Sequence, residues 1–447
     1  MSKGTTETVV GHVPTSWSIQ TLEGLAAFIT KGGTPTTYGH DWVDASTGIP
    51  FFRSECVTDN GFDPKGMNFI SPAAHQQMVR SEVKPGDLLM TITGNVGRVA
   101  KSPEEFPTAN INQHIARIRV LETPDADVDY VYHCLKHDGY AAHYRSILTG
   151  QAYPQISLQQ VRETPIALPP IAERRKIAAI LTAVDDKLDV IARQIETIQA
   201  LKQGLMQTLF SRGVGIQDVY GRWVPHAEFK DSPIGPIPSN WGVKTLGEVC
   251  DGALQTGPFG SQLHAHEYQE EGVPVLMPKD LKNCRANLET AAKVSQTRAE
   301  QLDRHRLNRG DLLFSRRGDV ARFALIDEKS EGALCGTGCL KAIPGRAHSP
   351  AYLAHLLQLD VVRAWLEQNA VGQTMPNMNT AILAALPLVV PAARAEQERI
   401  ADILDSVDAK AIFLDEKRTN YQALKRGLMQ KLLTGEWRVR VDAEMAA

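Results

Sequence analysis

No run of apolar residues in this chain approaches the length that spans a bilayer, so an inserted helix is excluded and no membrane partner is expected. Cysteine is sparse: Cys56, Cys134, Cys250, Cys284, Cys335 and Cys339 form no dense framework. The opening MSKGTTETVV has no basic-then-apolar leader, so a cytoplasmic, reducing setting is expected. Positive charge is not in excess either. A formal net charge of −3 excludes a protein that coats nucleic acid through bulk charge, while leaving local recognition surfaces open. There is no G-x-x-x-x-G-K-[ST] phosphate loop, no G-x-G-x-x-G and no Asn-Pro-Pro-Tyr or Asp-Pro-Pro-Tyr run of the kind found in amino-methyltransferase sites. Nucleotide-driven work, dinucleotide chemistry and methyl transfer have no visible seat, so no catalytic, cofactor-binding or metal residue is assigned.

The remaining candidates for chemistry have plainer readings. Cys335 and Cys339 with His348 make a poor metal set, because the gap is wider than Cys-x2-Cys and the first half has no equivalent; buried thiols are expected. Asp185-Asp186 and Asp405 with Asp408 read as solvated charge on helix faces. His114 lacks a histidine counterpart around Gly336-Thr337-Gly338, so a shared catalytic base fails.

What is present is a duplication. Leu201-Lys202-Gln203-Gly204-Leu205-Met206-Gln207-Thr208-Leu209 returns as Leu424-Lys425-Arg426-Gly427-Leu428-Met429-Gln430-Lys431-Leu432. Pro85-Gly86-Asp87-Leu88-Leu89 with Gly94-Asn95-Val96-Gly97-Arg98 returns as Arg309-Gly310-Asp311-Leu312-Leu313 with Gly318-Asp319-Val320-Ala321-Arg322, an offset of 224 residues from Asp87 to Asp311. Gly11 to Trp17 answers Gly235 to Trp241, and Gly150 to Ile156 answers Gly372 to Met378. Between these blocks the halves diverge: Tyr38-Gly39-His40-Asp41-Trp42 has no counterpart near Ser261-Gln262-Leu263-His264. With 43% hydrophobic residues in 447, each half can bury its own core. Strand candidates such as Leu88 to Thr93 and Ile115 to Val120, punctuated by glycine turns, predict a mixed α/β module per half in pseudo-twofold relation. A shared scaffold with divergent inserts suits two readers of related targets.

After Pro169-Pro170 the period changes. Ile177, Leu181, Val184, Leu188, Ile191, Ile195 and Ile198 follow 4-3 spacing, the seam of a coiled coil. Ile400, Leu404, Val407, Ala411 and Leu414 repeat it after Pro391; Arg418 interrupts the stripe before Tyr421, Leu424 and Leu428 resume it. Each helix is about 40 residues, roughly 60 Å, and the expected partner of each is the other, packed antiparallel as a rod. Gly204 and Gly427, each costing about 1 kcal/mol in a helix interior, suggest close helix approach. Residues 213 to 240 read as irregular chain anchored by Tyr220, Trp223 and Phe229.

These landmarks resemble type I restriction-modification specificity subunits. Phe229 to Trp241 (FKDSPIGPIPSNW) is similar to the opening of their second half. Pro169-Pro170-Ile171-Ala172-Glu173-Arg174-Arg175-Lys176-Ile177 and Ala395-Glu396-Gln397-Glu398-Arg399-Ile400 are similar to the starts of their conserved helices, and Leu205-Met206-Gln207 and Leu428-Met429-Gln430 to the ends. The second entrance, Val390-Pro391-Ala392-Ala393-Arg394, keeps one proline where two are usual, which puts its helix-start geometry in question.

The resemblance implies two mixed α/β target recognition domains joined by two long antiparallel coiled-coil helices. The expected segments are a first recognition domain at 1–169, a first helix at 170–212, a connector at 213–240, a second recognition domain at 241–391, a second helix at 392–436 and a tail at 437–447. It implies a non-catalytic subunit reading a bipartite, asymmetric site on double-stranded DNA. Its partners are two methyltransferase subunits, which use S-adenosylmethionine, and restriction-translocase subunits, which use ATP and Mg. A two-headed protein-binding scaffold is the alternative. Under the DNA reading, candidate contacts lie at strand ends and glycine-bounded loops: Arg53, Thr93, Asn95, Gln151 and Tyr153 in the first half; Ser261, Gln262, Lys279, Arg316, Arg317, Gln373 and Asn377 in the second.

Overall fold

Leu88, Leu89, Met90 and Thr91 are all buried, as are Leu312, Leu313, Phe314 and Ser315, so these two strands are covered on both faces. The computed structural model describes residues 4–440 apart from 122, 124–125, 151–152, 233–234, 261 and 373–375. It divides into a first unit, Met1–Arg193 with Asp415–Ala447, and a second, Gln194–Leu414.

In the first unit Leu88–Thr91 lies between Val99–Lys101 and Ile115–Val120, with Ala26–Lys31 beyond, all antiparallel. Alternation along the strand sends Leu88 and Met90 into a core with Ile118 and Tyr130, and Leu89 into another with Phe52 and Ile111. The latter core lies against a mixed sheet in the order Asn68–Ile70, Ile49–Phe52, Ala109–Ile111, Glu82–Val83, whose central pair is parallel.

The second unit repeats the plan. Leu312–Ser315 lies between Phe323–Leu325 and Cys339–Ala342, with Leu254–Thr256 beyond. A three-stranded mixed sheet runs Ala292–Val294, Val273–Leu276, Leu334–Cys335. Cys335 and Cys339 are buried thiols in this core, held protonated by burial, with the Cys335 pKa pushed up to about 12. Their thiols face the Gly336 and Leu276 carbonyls, while His348 faces Gln397 instead.

The long helices run Ile171–Arg212 and Arg394–Leu432. Their starts are equivalent at an offset of 223, so losing one proline at the second entrance has not moved the helix start. Within the first unit Ile177, Ala178 and Leu181 share a core with Met429, Leu432 and Leu433, and Asp185 pairs with Lys425 at 2.5 Å. Within the second, Leu209 and Phe210 share a core with Ile400 and Leu404, and Lys202 pairs with Asp408 at 2.7 Å. In both units numbers rise along one helix as they fall along its neighbour, so the contact is antiparallel. Ile177, Leu181, Val184, Ile191, Ile195, Ile400, Leu404, Val407 and Leu414 are buried; Leu188, Ile198, Ala411 and Leu428 are half-buried.

Four expectations are corrected. Leu424 is 50% exposed, whereas the neighbouring Lys425 is half-buried with its ammonium on Asp185. Gly204 and Gly427 have nothing within 4 Å of a β-carbon, so no close helix approach requires them. Asp185 and Asp408 are not merely solvated but ion-paired across the helices, and Asp405 accepts from His355 at 2.8 Å. In the connector Tyr220 and Phe229 are exposed and Trp223 is half-buried; its apolar anchor is the buried Ile237, and a polar anchor joins it. The buried Glu396 carboxylate, 2% exposed, accepts from the amides of Val214 and Gly215, from His226 Nε2 and from Trp241 Nε1 (3.2, 3.1, 2.8 and 3.0 Å). A carboxylate out of water must collect donors, and the connector supplies three of these four.

Candidate nucleic-acid interface

Each central strand ends in a loop with the same backbone frame. In the first unit the Thr91 hydroxyl donates to the Asn95 carbonyl and accepts the Arg98 amide at 3.0 Å, folding the chain back on itself. Gly94 sits at φ +75°, a conformation that suits glycine, and its amide donates to the Pro154 carbonyl at 2.9 Å. Thr93 forms a bridge with Gln155. In the second unit the Ser315 hydroxyl donates to the Arg317 carbonyl at 2.9 Å, Gly318 sits at φ +74° and donates to the Pro376 carbonyl at 3.1 Å, and Arg317 bridges Asn377. One frame thus carries Thr93, Asn95 and Gln155 in one unit and Arg317, Asp319 and Asn377 in the other.

In the first unit Arg53, Thr93, Asn95 and Tyr153 come together on a single open cleft of about 690 Å³. Tyr153 is 72% exposed at its rim. Arg53 reaches Glu55 at 2.8 Å, both partners exposed; such a pair contributes about 0–1 kcal/mol, so the guanidinium can change partner cheaply. The cleft is also lined by Trp42, Asn68, Arg98, Asn112, Gln113 and His114, which the loop-and-glycine argument missed. Arg98 is clamped on Asp59 by two bonds of 3.1 and 3.0 Å. Trp42 lies in the insert without a counterpart, and that divergence was the available signal.

In the second unit Arg317 is exposed beside Gly318, whereas Arg316 is half-buried, its amide on the Gly338 carbonyl at 2.8 Å and its Nε buried without a hydrogen-bond partner. Gln262 is engaged internally, its side-chain oxygen accepting from the Phe259 amide (3.1 Å) and Arg304 (3.3 Å). Lys279 is exposed on the turn Pro278–Asp280. Gln151, Ser261 and Gln373 lie outside the described residues. Among the described residues no cluster of His, Cys, Asp and Glu is arranged to hold a metal ion, and no helix is long and apolar enough to cross a membrane.

The family model for the type I restriction modification DNA specificity domain matches twice, over residues 14–200 and 238–422, one copy in each half of the duplication. The chain belongs to that family. It is a non-catalytic DNA-recognition subunit of a type I restriction-modification system, and its two α/β units carry the target recognition domains. It is 25% identical to the type I restriction enzyme MjaVIII specificity subunit of Methanocaldococcus jannaschii, over 96% of this chain and 95% of that one. It is 24% identical to the putative MjaX specificity subunit of the same organism, over 97% and 96%. The fold is similar to the crystal structure of the type I restriction-modification S subunit from M. genitalium, with a TM-score of 0.61 at 15% identity over 93% and 96% of the two chains. In this specificity subunit the paired loops keep their backbone bonds from one unit to the other while their side chains differ.

Proposed function

We propose that this subunit reads a bipartite, asymmetric site on double-stranded DNA, one half-site per recognition domain, and positions partner subunits that methylate adenine. The recognition domains are assigned to 1–169 and 241–391, and the spacer segments to 170–212 and 392–436, whose helical parts are Ile171–Arg212 and Arg394–Leu432, with the connector 213–240 between the repeats and the tail at 437–447. The observation that carries the reading is the repeated loop frame with unlike side chains, Thr93, Asn95 and Gln155 against Arg317, Asp319 and Asn377. Identical halves would favour a palindrome; one frame with different donors and acceptors favours two different half-sites. Arg53, Thr93, Asn95, Gln151 and Tyr153 contact the first, and Ser261, Lys279, Arg316, Arg317, Gln373 and Asn377 the second, with Gln262 acting through the loop that it holds.

Two methyltransferase subunits dock, one on each unit. Supporting this, the first unit exposes Val190 and Leu424 on its helix segments and the second exposes Phe413 and Leu201, pairs equivalent at an offset of 223. Equivalent apolar positions fit two copies of one partner. In the cytoplasmic complex those partners use S-adenosylmethionine, and restriction-translocase subunits use ATP and Mg; this chain supplies address, not turnover. Long-read mapping of modified adenines in the native genome, with and without this chain, tests the reading. The expected result is methylation at a split, non-palindromic motif that vanishes with the chain; a continuous palindrome, or methylation independent of the chain, overturns it.

A further inference from the structure

Gln113 is an exposed side chain that is nonetheless held in place. It lies in the three-residue link from Ala109–Ile111, in one sheet, to Ile115–Val120, in the other. The link is pinned by backbone bonds on both sides: the Asn112 amide donates to Phe52, the Gly32 amide to the Asn112 carbonyl and the Ile92 amide to the His114 carbonyl (3.1, 3.2 and 2.9 Å). A β-carbon on Gly32 would stand 1.7 Å from the Ile111 carbonyl oxygen, so glycine permits the approach that brings Thr34 to Gln113. There the Thr34 hydroxyl donates to Gln113 Oε1 at 2.8 Å. Gln113 Nε2 lies 3.1 Å from His114 Nε2, which accepts when the neutral ring carries its proton on Nδ1.

A primary amide has two acceptor sites and two donor hydrogens, and here one of each is occupied. What remains is one acceptor beside one donor, fixed in orientation on the cleft that holds Arg53, Thr93 and Asn95. That pattern complements N6–H and N7 on the major-groove edge of adenine. The second unit keeps the close approach, with a β-carbon on Gly257 standing 1.9 Å from the Gly336 carbonyl oxygen. Its equivalent link, Gly336-Thr337-Gly338, carries no amide side chain. We infer that Gln113, positioned by Thr34 and His114, reads an adenine in the half-site of the first unit, and that the second unit has no equivalent reader. The inference rests on the proposed DNA reading and names one of its specificity-determining residues.

The test uses the complex assembled with its methyltransferase subunits and a duplex library randomised independently in both half-sites, with methylation read by sequencing. Gln113→Ala is expected to lower the preference for adenine at one position of one half-site by about 5- to 100-fold, leaving the other half-site unchanged. Gln113→Glu, of nearly the same shape but without the donor, is expected to lose adenine at that same position. Thr34→Val, which only frees the amide, is expected to give a smaller loss there, and Thr34→Ser to restore it. An unchanged motif in assembled Gln113 variants, an even loss over all sequences or a change at a G·C position would overturn the inference while leaving the bipartite reading intact. No sequence-dependent methylation by the unmodified complex would overturn both.

Discussion

His133 is buried in the first unit with Nε2 3.0 Å from the Thr182 hydroxyl and Nδ1 without a hydrogen-bond partner. The Asp185 carboxylate lies 3.9 Å away and favours the imidazolium, yet Lys425 at 2.5 Å from the same carboxylate offsets it. Burial first, then Lys425, Lys101 and Lys136, push the His133 pKa down to about 2. The folded state therefore holds a neutral ring where the unfolded chain, with an ordinary histidine near 6.5, takes up a proton. Stability is full above pH 6.5 and falls as pH drops below it, by about 2 kcal/mol at pH 5. Burial also lowers the His305 pKa, to about 4, so the test is a difference: between pH 7 and pH 5, urea unfolding of His133→Gln should lose about 2 kcal/mol less than the unmodified chain, and an equal loss in the variant sinks the assignment. Arg317 and Arg316 separate at the same scale. Arg317→Ala, at an exposed loop tip, should relax one position of the second half-site by roughly 1–3 kcal/mol of discrimination. Arg316→Ala keeps the backbone bond to Gly338 and, because its side chain is half-buried, should relax that half-site less. Methylation over the randomised library distinguishes them, and unchanged base preferences in folded Arg317→Ala would reject it as a reader. Adjacent arginines look alike in sequence, and only the loop decides which one is exposed.

At the scale of elements, the long helices follow their 4-3 stripe until charge enters it. Leu424 continues the apolar text yet is 50% exposed, whereas the neighbouring Lys425 is half-buried with its ammonium on Asp185 of the facing helix. Gly204 and Gly427 show the converse: a repeated residue with open space beside it. Replacing each by alanine should stabilise the isolated chain by about 0.5–1 kcal/mol through helix propensity, with no steric penalty. Thermal or urea melts of the two single variants measure this, and destabilisation of either would show that its glycine is needed. The connector is held by bonds that are just as invisible in sequence. Aromatic residues look like anchors in sequence, whereas Glu396 recruits four donors that are separated from it by about 150 residues or more along the chain.

For the whole molecule, the duplication predicts that address and spacing are separable. Removing one matched heptad from both helices shortens each by about 10 Å, roughly three base pairs of B-DNA. The expected outcome is an unchanged pair of half-sites with a shorter gap, mapped by adenine methylation. An active variant that keeps the original gap would show that the helices do not set it. Removing the heptad from one helix alone should lower assembly, because the charge pairs Asp185–Lys425 and Lys202–Asp408 can no longer both form.

Repetition and periodicity are local properties of the text, so the chain by itself determined that there are two α/β units and two long helices, and that catalytic motifs are missing. It also singled out Arg53, Thr93, Asn95 and Tyr153 at strand ends and glycine-bounded loops, because glycine turns and strand ends mark themselves. Tertiary structure alone decided that these four share one cleft, that Gln262 is engaged internally, and that Gln113 is fixed by a threonine far back in the chain. The physical reason is that hydrogen bonds and ion pairs are satisfied in space. Thr34 and Gln113 meet only after two sheets have packed, and Asp185 and Lys425 only after the chain has passed through the other unit and returned.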